Sequence, residues 1–298
     1  MNKNSLICSG QTYFFLSSGC CIVMSVKHRL CNIRSKSTSL IIALALFLVP
    51  LFVQAQQYIP FAIISDTHIR TGNNTVYPAF VRKMEEQKIN LIIHTGDAIG
   101  TPGSASQWTR FLELTGSDKT LHLAPGNHDI HGENSLAVYM RFFPKPYYSF
   151  SDGDTLFVLL NTELPEEEGR IAGKQLAWLK TELEKPFRYK FVFLHEPLYP
   201  LLPEHGLDKY KEARDNLHRL FVTKGVLLVV SGHDHIYGRT TKDGIRYVTA
   251  ATLGGWLPSS MKSSDVFRYI TAARKGDGYS FIVLDMDDNV KDRFTVGR

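Results

Sequence analysis

The chain has 298 residues, with 34 Lys and Arg against 29 Asp and Glu and a formal net charge of +5. Its length suits one α/β domain behind an amino-terminal leader, without a second domain. The basic surplus lies wholly ahead of residue 56, and removing Lys3, Lys27, Arg29, Arg34 and Lys36 leaves 29 basic against 29 acidic residues. A neutral remainder with no Lys/Arg stripe argues against an extended nucleic-acid surface.

Residues 1–55 contain no acidic residue, and their basic positions precede the apolar run Leu40 to Val53. Basic, then apolar, then small is the order of a secretory signal, with Val53 and Ala55 suited to the positions before a cleavage site. The expectation is an exported protein, periplasmic or secreted, that starts near Gln56 after processing. The alternative is an uncleaved leader that anchors the chain. The run is short and interrupted by Pro50, which argues against a stable membrane span. Met24, with Lys27 and Arg29 close behind it, is the expected initiator. Cys8, Cys20, Cys21 and Cys31 all fall in this leader, so the remainder forms no disulfide and suits an oxidising compartment.

From Gln57 onward, short apolar runs alternate with helix-like stretches. Tyr58 to Ser65 predicts a strand that ends at Asp66-Thr67-His68, and Pro78 to Gln87 predicts a helix. The strand Ile89 to Thr95 ends at Gly96-Asp97 and is followed by a helix over Ala105 to Thr115. Thr120 to Ala124 leads through Pro125 into Gly126-Asn127-His128-Asp129. Thr155 to Asn161 predicts a strand and Gly173 to Lys185 a helix. Tyr189 to Leu194 ends at His195, before a helix over Leu207 to Lys224 closed by Gly225. Val226 to Ser231 ends at Gly232-His233-Asp234-His235. Gly244 to Thr252 and Tyr279 to Asp285 then read as strands, a tail suited to a second sheet packed on the first.

Five of these runs end directly in a polar signature. In open α/β sheets the carboxyl ends of strands line the ligand crevice, so residues spread from Asp66 to His235 are expected to converge. Asp66 and His68, two apart on a chain leaving a strand, can project to the same side. They supply one carboxylate and one imidazole, a donor mixture suited to manganese, iron, zinc or cobalt. Gly96 allows a sharp turn that leaves Asp97 at its tip, where its two oxygens could reach two metals. Asn127 offers a neutral carbonyl oxygen, and His233-x-His235 is the most ligand-like pair in the chain. His195 taken alone reads equally well as a satisfied core histidine.

Taken together and in this order, the signatures resemble those of the calcineurin-like metallophosphoesterase superfamily over essentially all of Tyr58 to Asp285. That resemblance implies a four-layer αββα sandwich of two mixed β-sheets flanked by helices, with a dimetal site at the carboxyl ends of strands. It implies that Asp66, His68, Asp97 and His235 hold one metal and that Asp97, Asn127, His195 and His233 hold the other. Asp97 is then the bridge, His128 faces the phosphate, and Asp129 orients its imidazole. The activity implied is hydrolysis of a small phosphomonoester or phosphodiester by in-line attack of a bridging hydroxide, with His128 assisting the leaving group. The metals themselves stay open among manganese, iron, zinc and cobalt.

Two rival readings keep the same residues: a nuclease of this superfamily, and a metal-binding interaction scaffold without catalysis. Purple acid phosphatases carry a tyrosine where this chain has Gly100 and a glycine in place of His68, so no tyrosinate chromophore is expected. Gly173 to Leu183 and the His195-Glu196-Pro197 segment look like the phosphatase and cyclic-nucleotide phosphodiesterase branch, from which Glu196 is a departure. Asn73, Asn74, His131, Glu166 to Glu168, His205 and Trp256 could tune specificity from the mouth, but each reads more simply as solvated loop or local packing. His94 and His122, inside apolar runs, read as buried or supporting histidines.

Overall fold

The computed structural model describes residues 58–72, 74–255 and 266–297, all within the unit Gln56–Arg298. The leader, its cleavage point and its cysteines, together with Asn73 and Trp256, lie outside the described residues.

Two six-stranded sheets form the centre of the molecule. In the first, β1 (Phe61–Ile64), β2 (Leu91–His94) and β3 (Thr120–Leu123) run parallel. On its other side β1 pairs antiparallel with β10 (Arg268–Lys275), which continues through β11 (Gly278–Asp285) to the edge strand β12 (Val290–Gly297). The second sheet starts at β4 (Tyr148–Asp152) and continues through β5 (Thr155–Leu159), β6 (Tyr189–Phe193) and β7 (Leu228–Ser231). It ends with β9 (Ile245–Thr249) and β8 (Gly238–Lys242). Its four central strands are parallel and both edge pairs antiparallel.

The tail does not build a sheet of its own, as its sequence suggested. β9 extends the sheet of β5 to β7, while β10 to β12 cover the open flank of β1. Each segment's alternation fixes that it is a strand, but the edge it joins depends on long-range pairings such as Phe61 with Ala272.

Both faces of the central strands are covered, which is why their sequences are continuously apolar. In β1, Phe61 and Ile63 point between the sheets toward Phe157, Leu159, Phe191 and Phe193. Ala62 and Ile64 point the other way, toward Tyr77, Phe80 and Phe111. Those three aromatic residues come from α1 (Val76–Glu86) and α2 (Ala105–Thr115), which cover the first sheet with α3 (Glu133–Phe142). Leu156 and Val158 of β5 meet Leu179 of α4 (Gly173–Glu182) and Leu217 and Phe221 of α5 (Lys211–Thr223). The order helix, sheet, sheet, helix is thus set by period-two alternation on strands buried from both sides. Phe61 centres the middle layer, edge-on to Phe157 at a ring separation of 5.3 Å.

The loops after β1, β2 and β3 continue the ladder past the strands. Asp66 N–H donates to the Gly96 carbonyl, His68 N–H to the Asp97 carbonyl and Ala124 N–H to the His94 carbonyl. The sheets are also tied to each other there, because Leu253 and Gly255, after β9, donate to the carbonyls of Ser65 and Asp66. The carboxyl ends of both sheets therefore form one rigid rim. Among the described residues no helix is long and apolar enough to cross a membrane.

Candidate metal centre

The rim is built from strained backbone. Asp66, His68, Asp97, His233 and His235 all adopt left-handed φ values, between 44° and 71°. For residues with a β-carbon each such conformation costs on the order of 1 kcal/mol or more, and it persists where the surroundings over-determine it. Asp66 and His68 project together from a chain leaving the strand, with both residues left-handed while the segment still runs alongside the loop after β2.

One donor atom from each of Asp66, His68, Asp97 and His235 lies within 4.8 Å of the others. His68 Nε2 is 3.2 Å from His235 Nε2 and 3.5 Å from Asp97 Oδ2, and His235 Nε2 is 3.3 Å from Asp66 Oδ1. A second set surrounds His195 Nε2, which lies 3.1 Å from Asn127 Oδ1, 3.1 Å from His233 Nδ1 and 3.4 Å from Asp97 Oδ2. Asp97 Oδ2 belongs to both sets. Its other oxygen does not, because Asp97 Oδ1 accepts the His128 backbone N–H at 2.7 Å. The sharing therefore runs through one oxygen rather than both.

These atoms are mostly acceptors with lone pairs directed at one another, an arrangement that a cation stabilises. Asp66 Oδ1 is buried, and its nearest polar neighbours, such as His235 Nε2 at 3.3 Å, are themselves donor atoms of the set, which suits it to a cation. Burial works against ionisation of Asp66, yet His235 and His68 hold its carboxyl well below the usual carboxylate range. Burial likewise opposes a charged His195, but the neighbouring Asp97 carboxylate outweighs it and raises the imidazole well above its ordinary value. The field that favours a proton on His195 also favours a divalent ion. His233 is pushed the other way, down to about 2, by burial first and then by His195 and His205. It serves as a neutral donor. With hard oxygens, imidazoles and no thiolate, the donor set fits two ions of the manganese, iron, zinc or cobalt type.

Supporting bonds fix the donors. His195 Nδ1–H donates to the Thr95 carbonyl at 2.9 Å, which turns Nε2 inward. His94 accepts the Gly96 N–H on Nδ1 and meets Thr67 Oγ1 on Nε2, and burial lowers its pKa to about 3. It is a neutral brace between the first two loops, while His122 stacks on Phe150 away from the donors. Asp129 does not orient His128, contrary to the expectation. Its two carboxyl oxygens accept the Ile99 and Gly126 backbone N–H groups, and burial, with the nearby Asp97, pushes its pKa up to about 8. Asp129 sits inside its own turn, and its work is to pin two loops together. His128 is held by Nδ1–H donation to the Gly100 carbonyl at 3.2 Å, its ring edge-on to His68.

The mouth contains residues that the sequence undervalued. His205 is not a plain loop residue, because its ring stacks on His233 at 4.1 Å and its Nδ1–H donates to Asp234 at 2.8 Å. Glu196 is buried, with Oε1 3.7 Å from Lys209 Nζ and Oε2 without a hydrogen-bond partner among the described residues. Thr252 Oγ1 donates to the Asp66 carbonyl and accepts from Gly254 and Gly255, so this turn braces the first loop. The Gly254-Gly255 pair after a predicted strand was the available signal. Beside the first donor set is a cavity of about 610 Å³, lined in part by His68, His128, His235, Arg70 and Asn74.

Comparison with known proteins agrees with this geometry. The family model of calcineurin-like phosphoesterases matches residues 59–237. The bovine (Bos taurus) serine/threonine-protein phosphatase CPPED1 is 29% identical over 160 residues, covering 49% of this chain and 50% of that protein. The chain thus spans about half the length of the curated relatives it matches. Among solved structures, yellow lupin purple acid phosphatase PPD1 superposes with a TM-score of 0.66 at 17% identity, covering 82% of this chain and 54% of that one. GAP50, described as the anchor in the inner membrane complex of Plasmodium, gives a TM-score of 0.62 at 14% identity, covering 81% of this chain and 89% of that one. At such identities the two structures show the shared fold alone.

Proposed function

We propose that this chain, which belongs to the calcineurin-like phosphoesterase family, is a metal-dependent hydrolase of small phosphomonoesters. The observation that carries this reading is the pair of donor sets sharing Asp97 Oδ2, the first of them beside a cavity that His128 also lines. Asp66, His68, Asp97 and His235 would hold one ion, and Asp97, Asn127, His195 and His233 the other. Ions held there would lower the pKa of water and offset the charge of the phosphoryl oxygens. The monoester preference follows the printed name of the CPPED1 relatives, serine/threonine-protein phosphatases, while the small size of the substrate follows the cavity of about 610 Å³. The scaffold alternative is weakened because every donor position is filled, and the nuclease alternative by the neutral charge after residue 55.

The chain's own residues account for the remaining chemistry. Asp66 and Asp97 hold negative charge in a buried place because the surrounding imidazoles compensate it. His128 donates through Nδ1 to Gly100, so its Nε2 edge is the one available to a leaving oxygen, to which the doubly protonated imidazole gives its Nε2 proton as general acid and becomes neutral. A metal-by-substrate matrix tests the reading, with nitrophenyl phosphate, bis-nitrophenyl phosphate and a cyclic nucleotide against manganese, zinc, iron and cobalt. The monoester should be turned over, and chelation should abolish the activity. His128→Asn should reduce turnover of alkyl phosphates about 100-fold and of nitrophenyl phosphate much less, because nitrophenolate leaves without a proton. No hydrolysis across the panel would overturn the function, and equal losses on both ester types would remove the acid role.

Export completes the proposal, supported by the basic and apolar pattern ahead of Gln56. Amino-terminal sequencing of the protein recovered outside the cytoplasm should read from near Gln56. A full-length chain found only in the cytoplasm would refute it.

A further inference from the structure

The cavity beside the first donor set has a volume of about 610 Å³, within the range of sites that hold a whole small molecule. A scissile phosphoryl group would occupy only a part of it. His68, His128 and His235 belong to the reaction centre, but Arg70 and Asn74 also line the space and the proposed chemistry does not use them. Arg70 is the only Lys, Arg, Asp or Glu among the described lining residues, and its guanidinium is permanently charged. It is exposed, and among the described residues no carboxylate pairs with it.

The way Arg70 is seated ties it to the site. A β-carbon built on Gly100 would lie 2.8 Å from Arg70 Cγ and 2.7 Å from Nε. The missing side chain at position 100 is therefore the slot in which the Arg70 stem rests. The carbonyl of the same Gly100 accepts Nδ1–H of His128, so Arg70 and His128 flank one short stretch of backbone. Asn74 accepts the Tyr77 N–H through Oδ1 at 3.3 Å, at the start of α1, which leaves its NH2 group as a donor.

Two divalent ions held at the donor sets would offset the charge of a reacting phosphoryl group, and a guanidinium beside them would be surplus to that need. An arginine fork is suited to a carboxylate or to phosphate oxygens. We propose that Arg70 is a specificity-determining residue that binds a second anionic group, carried on the alcohol portion of a small phosphomonoester, with Asn74 donating a further hydrogen bond. The assignment rests on the hydrolase reading for its substrate, but the recognition itself is a matter of binding.

Matched probes test it in the metal-loaded full-length protein. Calorimetry should show 3-phosphonopropionate, which is not hydrolysed, bound roughly tenfold more tightly than n-propylphosphonate. Arg70→Gln should erase that preference and leave n-propylphosphonate unchanged, while Arg70→Lys keeps part of it. In turnover, 3-phosphoglycerate should be preferred over glycerol 3-phosphate by a similar factor, chiefly in KM, and Arg70→Gln should equalise the two. Equal weakening of both phosphonates would place Arg70 on the reacting phosphoryl group and overturn the proposal. So would a wild-type protein that does not discriminate between them. A binding preference lost in Arg70→Gln, in a protein that hydrolyses neither ester, would uphold Arg70 while refuting the hydrolase reading.

Discussion

Asp97→Asn is expected to yield a folded protein whose metal-dependent turnover has fallen by about three orders of magnitude or more. Asparagine keeps the shape of the side chain and can still accept the His128 N–H, now made to Asp97 Oδ1 at 2.7 Å. It removes the charge and leaves the oxygen shared by both donor sets, 3.5 Å from His68 Nε2 and 3.4 Å from His195 Nε2, with at most a neutral atom. Burial disfavours an ionised Asp97, but the adjacent His195 overcomes it and holds the carboxyl below the usual range. The variant therefore gives up the group around which both sets are organised.

Thermal unfolding separates loss of metal from loss of fold. At 100 to 1,000 times its Kd a bound ion stabilises by about 2.7–4.1 kcal/mol. For a domain of this size that corresponds to a Tm rise of about 5–15 °C. The wild type should show such a rise on addition of manganese or zinc, and Asp97→Asn should show little or none while unfolding cooperatively. A variant that keeps both the rise and the turnover would refute the bridging role.

Gly126→Ala should damage the centre without removing a single donor. A β-carbon there would lie 2.3 Å from Asp97 Oδ1, 2.7 Å from Asp97 N and 2.7 Å from His195 Cγ. Two of these contacts are to atoms of Asp97, whose backbone is fixed by the ladder bond from His68, so the turn has little room to yield. Overpacking of this kind costs typically about 1–3 kcal/mol. A displacement near 1 Å at reacting groups costs on the order of 100-fold in rate. Denaturant unfolding and kcat on nitrophenyl phosphate should show both losses, and wild-type values in both would show that the turn is free to adjust.

The donors were legible in sequence because each follows an apolar run directly. Asp66, Asp97, Asn127, His195, His233 and His235 stand at or just past strand ends, where convergence follows from how parallel sheets are built. The four-residue strands β1, β2 and β7 were legible because burial on both faces keeps their first three residues apolar. β8 and β12 escaped notice because they lie on sheet edges and are largely exposed, so apolar alternation is weak or absent there. α3 was missed because it buries only Ser135 and Tyr139 fully, too little for a clear helical period.

The sequence by itself determined which polar side chains stand at strand ends, since residue type and strand-end position follow from local pattern. The tertiary structure decided how they meet. It put Asp97 Oδ2 between two donor sets and gave Oδ1 to the His128 backbone. It turned Asp129 from His128 toward the Gly126 and Ile99 amides. It stacked His205 on His233 and seated Arg70 in the space at Gly100. Apart from the Asp129 bond to Gly126 within one turn, these contacts join residues about 30 or more positions apart in the chain. Such contacts depend on how two sheets meet at one rim, and no local periodicity encodes them.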